Sequence, residues 1–433
     1  MTTMDDSQKF RMVNSVKILD VLTDHGVSCS GTGDNLMAVS PFRKTSNKTS
    51  FTISISRNTF KDWKLDYGGG PVKFIMKLKK LDAKNAIDYL YNVYFNGNAP
   101  VKELFIPPVI EEKAALDKDV LHVAYSIFLD LCSLTEEDKK YLKNVRGLSD
   151  EEILDVGFKS FPRRTIRHTL QERLIEAGIN PTDIPGFFRY SDDECITFNY
   201  YVGILIPIRD IFGRIVGLQI RKRNLKSELD NRYVWLSSAF AMNKPGSAPK
   251  YFCNGRGPEA PLGFVEGTFS CDRVTTLFVT EGFFKAFSIR KNVKSPSITV
   301  QGVTNWKGIN DVVEELTKRY PKLNRIIFTF DADFIGNLNV SNQLCKMYNS
   351  LKPQFPGIEF RTMLWDINLG KGIDDLIANV KTLPGNMHLM DMDSFESAFK
   401  EFEPVGRKMA EEEVDEDVFM SAYKEVLDKW RES

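Results

Sequence analysis

The sequence has no excess of either charge, few histidines, no close cysteine pair and no long apolar run, and each absence removes a class of protein. Over 433 residues, 58 Lys+Arg balance 58 Asp+Glu. Bulk positive charge is therefore not available to coat nucleic acid, although a local basic face remains open. The six cysteines, Cys29, Cys132, Cys195, Cys253, Cys271 and Cys345, are scattered, and the chain has only four histidines. Without a C-x-x-C pair, a structural zinc site or a disulfide framework is not expected, and the thiols read as buried groups in a reducing compartment. No run of about 18 apolar residues is present to span a membrane. The opening MTTMDDSQKF lacks the basic-then-apolar order of a signal peptide, so a cytoplasmic protein with no membrane partner is expected. No G-x-x-x-x-G-K-[ST] loop occurs, which argues against a fused ATP-driven helicase.

What is there suffices for folded cores: 42% of residues are hydrophobic and 12% aromatic, which excludes global disorder. Charge is unevenly spread. Residues 1–100 hold 14 Lys+Arg against 9 Asp+Glu, net +5; residues 201–256 hold 10 against 3, net +7; residues 401–433 hold 5 against 11, net −6. Three such blocks do not face one partner.

The pattern along the chain divides it further. In 1–100, Thr49 to Ser56 alternates at period two and reads as a strand, Trp63 lies on a second strand, and helices follow around Phe74 to Leu78 and Ala83 to Tyr91. Pro100 to Ala114 has linker composition. In 115–270, two helices precede Gly147, Ser149 with Glu152 has capping-box spacing, and Ile204–Ile208 and Arg214–Ile220 read as a hairpin. In 271–385, strand and helix alternate: strands at Thr276–Thr280, Ser297–Val300, Arg325–Phe330 and Glu359–Leu364, with helices between, predict a parallel α/β sheet. Residues 386–433 read as an acidic helical tail, partly solvated. The fold class is thus α+β overall.

Three acidic signals fall at or just beyond the carboxyl ends of those strands: Glu281, then Asp331 with Asp333, then Asp374 with Asp375. Functional groups collect there in parallel sheets. Magnesium takes one or two carboxylates from each of a few loops and completes its octahedron with water and phosphate oxygens. A lone Asp after a strand is commonly a turn former, but three acidic loops in order on one sheet point to a metal site.

These stretches, FVTEG at Phe278 to Gly282, DAD at Asp331 to Asp333 and KGIDD at Lys371 to Asp375, resemble the TOPRIM domain of bacterial-type DNA primases, topoisomerases and some nucleases. The resemblance implies that Glu281 is a ligand or general acid/base and that Asp331, Asp333 and Asp374 hold Mg²⁺ or Mn²⁺. Gly372 stands where that family has a further acid. The primase branch is resembled over about Ala38 to Ile377. YLKNVRGLSDEE at Tyr141 resembles the helix before the catalytic core, GILIPIRDIFGRIVGLQIR at Gly203 its signature hairpin, and Pro249-Lys250-Tyr251 its basic position. The basic residues Arg209, Arg214, Arg221, Arg223, Lys250 and Arg256 are expected to wall a cleft over the acidic site. By resemblance, Arg221 with Lys250 and Tyr251 would hold nucleotide phosphates or template.

The N-terminal module resembles the zinc ribbon of these primases with its ligands lost. Ser40-Pro41-Phe42-Arg43 stands for C-P-F-H, and WKLDYGGG from Trp63 for the later C-x-x-C. Packing by Phe51, Trp63 and Phe74 is expected to replace the metal, so no zinc is expected. Arg43, Lys44, Lys48 and Lys61 with Trp63 and Tyr67 are candidates to grip single-stranded template by charge and stacking, with Trp63 weighted toward a core role.

The reading is a phage- or mobile-element-like primase, acting in the host cytoplasm if phage-encoded. It would join ribonucleoside triphosphates on single-stranded DNA with Mg²⁺, beside a separate replicative helicase. The alternatives are another TOPRIM enzyme such as a nuclease, and a catalytically inactive, single-stranded-DNA-binding replication or mobilisation protein.

Overall fold

The computed structural model describes residues 6–31, 33–43, 45–46, 48, 50–65, 67–96, 104–105, 116–225, 231–238, 251–253, 261–380, 382–412 and 414–431. They form two compact units, one of residues 1–112, 333–342 and 394–433, the other of 113–332 and 343–393.

Alternation of apolar and polar residues builds the first unit's sheet, an antiparallel meander of Cys29–Ser30, Asn35–Ala38, Phe51–Ser54, Thr59–Asp62 and Tyr67–Gly69. Phe51 and Ile53 point inward while Thr52 and Ser54 are partly exposed, as period two requires. Two helices close the core. Pro71 opens the helix Pro71–Lys79, where its missing N–H costs nothing, and Asp82 caps Ala83–Tyr94 by accepting from Asn85 N at 2.8 Å. Phe51, Phe60 and Phe74 are buried, with Phe60 stacked on Phe51 at 5.4 Å and edge-on to Phe74 at 5.5 Å. Trp63 lies beyond the strand and is 40% exposed. Phe60, on the inward register of Thr59–Asp62, takes the core place expected of Trp63. The tail helices Met392–Glu411 and Glu416–Arg431 bury Phe402 against Tyr423, stacked at 4.3 Å, so the acidic tail has an apolar face.

The second unit begins with helices Lys118–Asp130, Glu136–Asn144 and Asp150–Val156. The last carries the full capping box of Ser149 with Glu152. The hairpin Gly203–Arg209 with Ile215–Lys222 is antiparallel and apolar on both faces, and it packs on Lys118–Asp130. Beyond it lies a six-stranded sheet in the order Gly263–Val265, Ser297–Val300, Thr276–Glu281, Arg325–Thr329, Glu359–Leu364, His388–Asp391. Its four central strands are parallel. The two edge strands are antiparallel additions. The architecture is α+β with a largely parallel α/β sheet whose central strands end on one side.

Candidate active site

The acidic residues belong to neighbouring strand ends of this sheet. Glu281 is the last residue of Thr276–Glu281, and Gly282, at φ 85°, turns the chain into the helix Phe283–Asn292. Asp331 lies two residues past the adjacent strand Arg325–Thr329. Asp374 and Asp375 occupy the first turn of Ile373–Asn379. The Asp331 loop is tied to this helix start by Ala332 N donating to the Lys371 carbonyl at 2.8 Å. Asp333 follows in the 3-10 turn Ala332–Gly336, within the segment that groups with the first unit.

Gly372 is where these loops converge. A Cβ at that residue would lie 3.0 Å from Lys285 Cε and 3.6 Å from Asp331 Oδ1, and closer still to Asp374 Oδ1. The missing side chain therefore keeps Asp331, Asp374 and Lys285 around one small space. Lys285, in the first turn of Phe283–Asn292, makes an ion pair with Asp331. The Asp331 oxygen in this pair, Oδ1, is buried. Asp374 pairs with Arg146 at 3.1 Å. Burial, and then its neighbour Asp375, push the Asp374 carboxyl up, while Lys285 and Arg146 pull it down.

Arg146 organises the adjoining wall. Its guanidinium donates to the Tyr141 hydroxyl at 2.8 Å and to the Tyr233 hydroxyl at 3.4 Å, and it lies 4.6 Å over the Phe284 ring. Burial draws it down, but Tyr233, Tyr141 and Asp374 together hold it above its ordinary value. Arg221 stacks on the other end of this group, 4.0 Å from the Tyr141 ring centre, and its Nε is buried without an acceptor. A cavity of about 370 Å³ opens between Arg146, Phe284, Lys291 and Asp374. Arg146 and Lys285 were not among the sequence candidates. Their available signals were Arg146 at a helix end before Gly147 and Lys285 one helical turn after Glu281.

The expected basic wall is only partly assembled. Arg221 faces Ile204 and Arg209 faces Ile215 across the hairpin, which places them about 17 Å apart at roughly 3.3 Å per residue. Arg209 donates to the Gly213 carbonyl at 3.0 Å and lines a separate cavity of about 440 Å³ with Asp155, Phe264 and Phe283. Arg214 is held by Asp210 at 2.8 Å and Asp119 at 3.2 Å, and Arg223 by Asp138 at 2.6 Å and by Glu137. These three are neutralised or displaced from Asp374 rather than aimed at it. Tyr251, on a short strand paired with Arg189–Tyr190, packs against Phe188 and Tyr190 in an aromatic cluster. Lys44, Lys250, Arg256 and most of the expected 100–114 linker lie outside the described residues.

In the N-terminal module Arg43 is not a template ligand on its surface. Its side chain is 4% exposed and its Nε lies 3.2 Å from Asp62, whose side chain is fully buried. Asp62 also accepts from Ser40 Oγ at 2.5 Å and from the backbone N–H groups of Lys64 and Leu65 at 3.1 and 3.3 Å. The buried set is thus Ser40, Arg43, Asp62 and Leu65, with x-x spacing within each pair. The second pair starts one residue earlier than the sequence reading placed it. Lys61 lies 5.7 Å from the exposed Trp63 ring, whose Nε1 donates to Thr52 at 2.9 Å. Among the described residues, no group of three or more His, Cys, Asp or Glu is arranged to hold a metal ion.

Comparison with known proteins gives matches over both parts. Residues 5–99 match the CHC2 zinc finger family, and residues 269–382 match a family described as a domain of unknown function (DUF3854). The DNA primase of Mycoplasma genitalium is 22% identical over 360 residues, 78% of this chain and 54% of its own length. The DNA primase of Synechococcus elongatus is 23% identical over 348 residues, covering 74% and 44%. The chain spans about half the length of the curated relatives it matches. Among solved structures, the zinc-binding and RNA polymerase domains of the Aquifex aeolicus primase align with 98% of this chain and 97% of that one, at 16% identity and a TM-score of 0.45.

Proposed function

We propose that this chain, a relative of bacterial-type DNA primases by sequence, is itself a primase that makes short RNA primers on single-stranded DNA. The observation that carries the reading is the convergence of Asp331 and Asp374 around the bare backbone of Gly372, beside the Arg146 and Arg221 wall. The donor set suits one Mg²⁺ or Mn²⁺. Asp331 and Asp374 bring carboxylate oxygens to one space beside Gly372, where Asp331 Oδ1 is paired with the Lys285 ammonium, and magnesium leaves its other positions to water and phosphate oxygens. Glu281, from the flanking strand end, is a further candidate ligand, and Asp333 remains one by the resemblance. When bound, the ion would polarise phosphate oxygens and help ionise the attacking hydroxyl. Arg146 and Arg221 would hold triphosphate or template phosphates, which fixes position without reading sequence. Priming on a randomised single-stranded template with labelled ribonucleotides and Mg²⁺ or Mn²⁺ tests this. Labelled oligonucleotides are expected, and their absence on every template would overturn the enzyme reading.

A second reading, a template-binding replication protein without synthesis, is favoured by the Lys285 ion pair at Asp331 and by the absent acid at Gly372. It predicts intact DNA binding in that same failed assay. A separate helicase is the expected partner under either reading.

The N-terminal module would contact template through the exposed Trp63 and Lys61. Trp63→Ala is expected to weaken binding to an oligo-dT strand by about 1–3 kcal/mol, the value of one stacked base, in fluorescence anisotropy at fixed salt. Unchanged affinity would remove Trp63 from the interface. Zinc is not expected to be bound, because Ser40 and Arg43 both bond the buried Asp62 in this module and Leu65 offers no ligand atom in its side chain. Elemental analysis of the purified chain should find well below one zinc per molecule.

A further inference from the structure

Lys285 pairs with Asp331 directly and also acts on Asp374 through its charge. The Lys285 and Asp331 side chains are both about one-fifth exposed and the paired Asp331 Oδ1 is buried, so the pair is only partly screened by water. Asp374, the other carboxylate at Gly372, has its own cation in Arg146. Each of these two carboxylates thus already has a positive partner, which offsets part of the attraction that Asp331, Asp374 and the neighbouring Asp375 would exert on a divalent ion. An ion coordinated by Asp331 would also sit beside the Lys285 ammonium and be repelled by it. Gly372 supplies no additional carboxylate to offset this.

We propose that Lys285 is a resident cation that competes with divalent metal for Asp331, so that the free protein binds metal weakly and takes it up together with the triphosphate's own negative charge. The helix start explains how the lysine is held there. Gly282 turns the chain sharply after Glu281, and in the first turn of the helix the Lys285 stem passes beside Gly372, where a Cβ would lie 3.0 Å from its Cε and press on it. The inference rests on the acidic cluster being a metal site and goes beyond it by assigning Lys285 control over its occupancy.

The test is Mn²⁺ binding to the full chain, read from the free-ion paramagnetic resonance signal without nucleotide. Lys285→Met keeps the stem and removes the charge, and it is expected to tighten Mn²⁺ binding at least about tenfold. Lys285→Arg should stay within about threefold of the parent protein, since it keeps the charge. Adding a non-hydrolysable ATP analogue should tighten Mn²⁺ uptake more in the parent than in Lys285→Met. If Lys285→Met binds Mn²⁺ no more tightly than the parent while Asp331→Asn loses it, the proposal about Lys285 fails and the metal site stands. If Asp331→Asn binds Mn²⁺ as the parent does, the metal-site reading itself fails. Lys285→Gln, with circular dichroism alongside, serves as the second charge-removing variant should Lys285→Met not fold.

Discussion

Asp331→Asn is expected to reduce primer synthesis by about a thousandfold while the protein stays folded and still binds single-stranded DNA. The asparagine keeps the shape and one acceptor but cannot carry the negative charge that would hold a divalent ion. A bound ion contributes several kcal/mol of charge stabilisation at the reacting phosphate, and each 1.36 kcal/mol is a factor of ten in rate. The cost to folding should be small by comparison, about 1 kcal/mol. Asp331 has one ionic partner, Lys285, both side chains are about one-fifth exposed, and pairs with access to water contribute little. Primer yield against template affinity separates the two effects. Loss of both together would mean that Asp331 holds the fold rather than the reaction, and retained synthesis would place the metal elsewhere. Asp374→Asn makes a useful companion. It frees Arg146, which keeps its two tyrosine partners, so the wall should persist while synthesis falls.

The sequence made the parallel core legible because its strands are short apolar runs buried on both faces. Leu277 to Thr280 and Ile326 to Thr329 are buried throughout, and such runs stand out between turn residues. The edge strands Gly263–Val265 and His388–Asp391 were not legible. They are three and four residues long, and they pair antiparallel through backbone hydrogen bonds that leave no side-chain pattern. Strand-end carboxylates follow from order along the chain, so Glu281, Asp331 and Asp374 could be named. Arg146 could not, since its partner Asp374 lies 228 residues away. Arg209, Arg214 and Arg223 were grouped with Arg221 by nearness in sequence. The hairpin separates Arg209 and Arg214 from Arg221 along its length, while Asp119, Glu137 and Asp138, on helices before it, neutralise Arg214 and Arg223. Net charge along a segment did not predict which of its cations remain available.

Asp62→Ala is expected to unfold or severely loosen the N-terminal module, with a loss of about 3–5 kcal/mol, the usual result of leaving one member of a buried ion pair behind. Asp62 and Arg43 are both almost wholly out of water, so Arg43 would stay buried without the Asp62 carboxylate. Ser40 and the N–H groups of Lys64 and Leu65 would lose their acceptor at the same time. Small domains have about 5–15 kcal/mol in total, and this loss takes a large share of it. Hydrogen-exchange mass spectrometry over Phe51–Asp62 reads the module separately from the second unit. Protection there should drop in Asp62→Ala while the strands Thr276–Glu281 and Arg325–Thr329 keep theirs. Arg43→Met combined with Asp62→Leu removes both charges and should recover most of the protection, because apolar packing of similar volume often matches or exceeds a buried pair. If Asp62→Ala exchanges like the parent, the charged cluster does not hold the module together, and the aromatic stack of Phe42, Phe51, Phe60 and Phe74 suffices without it. If the double variant is as unprotected as Asp62→Ala, the cluster supplies specific geometry that packing does not replace. The expected recovery would instead show that the two charges are needed only for each other, and that apolar packing can fill their place in the module.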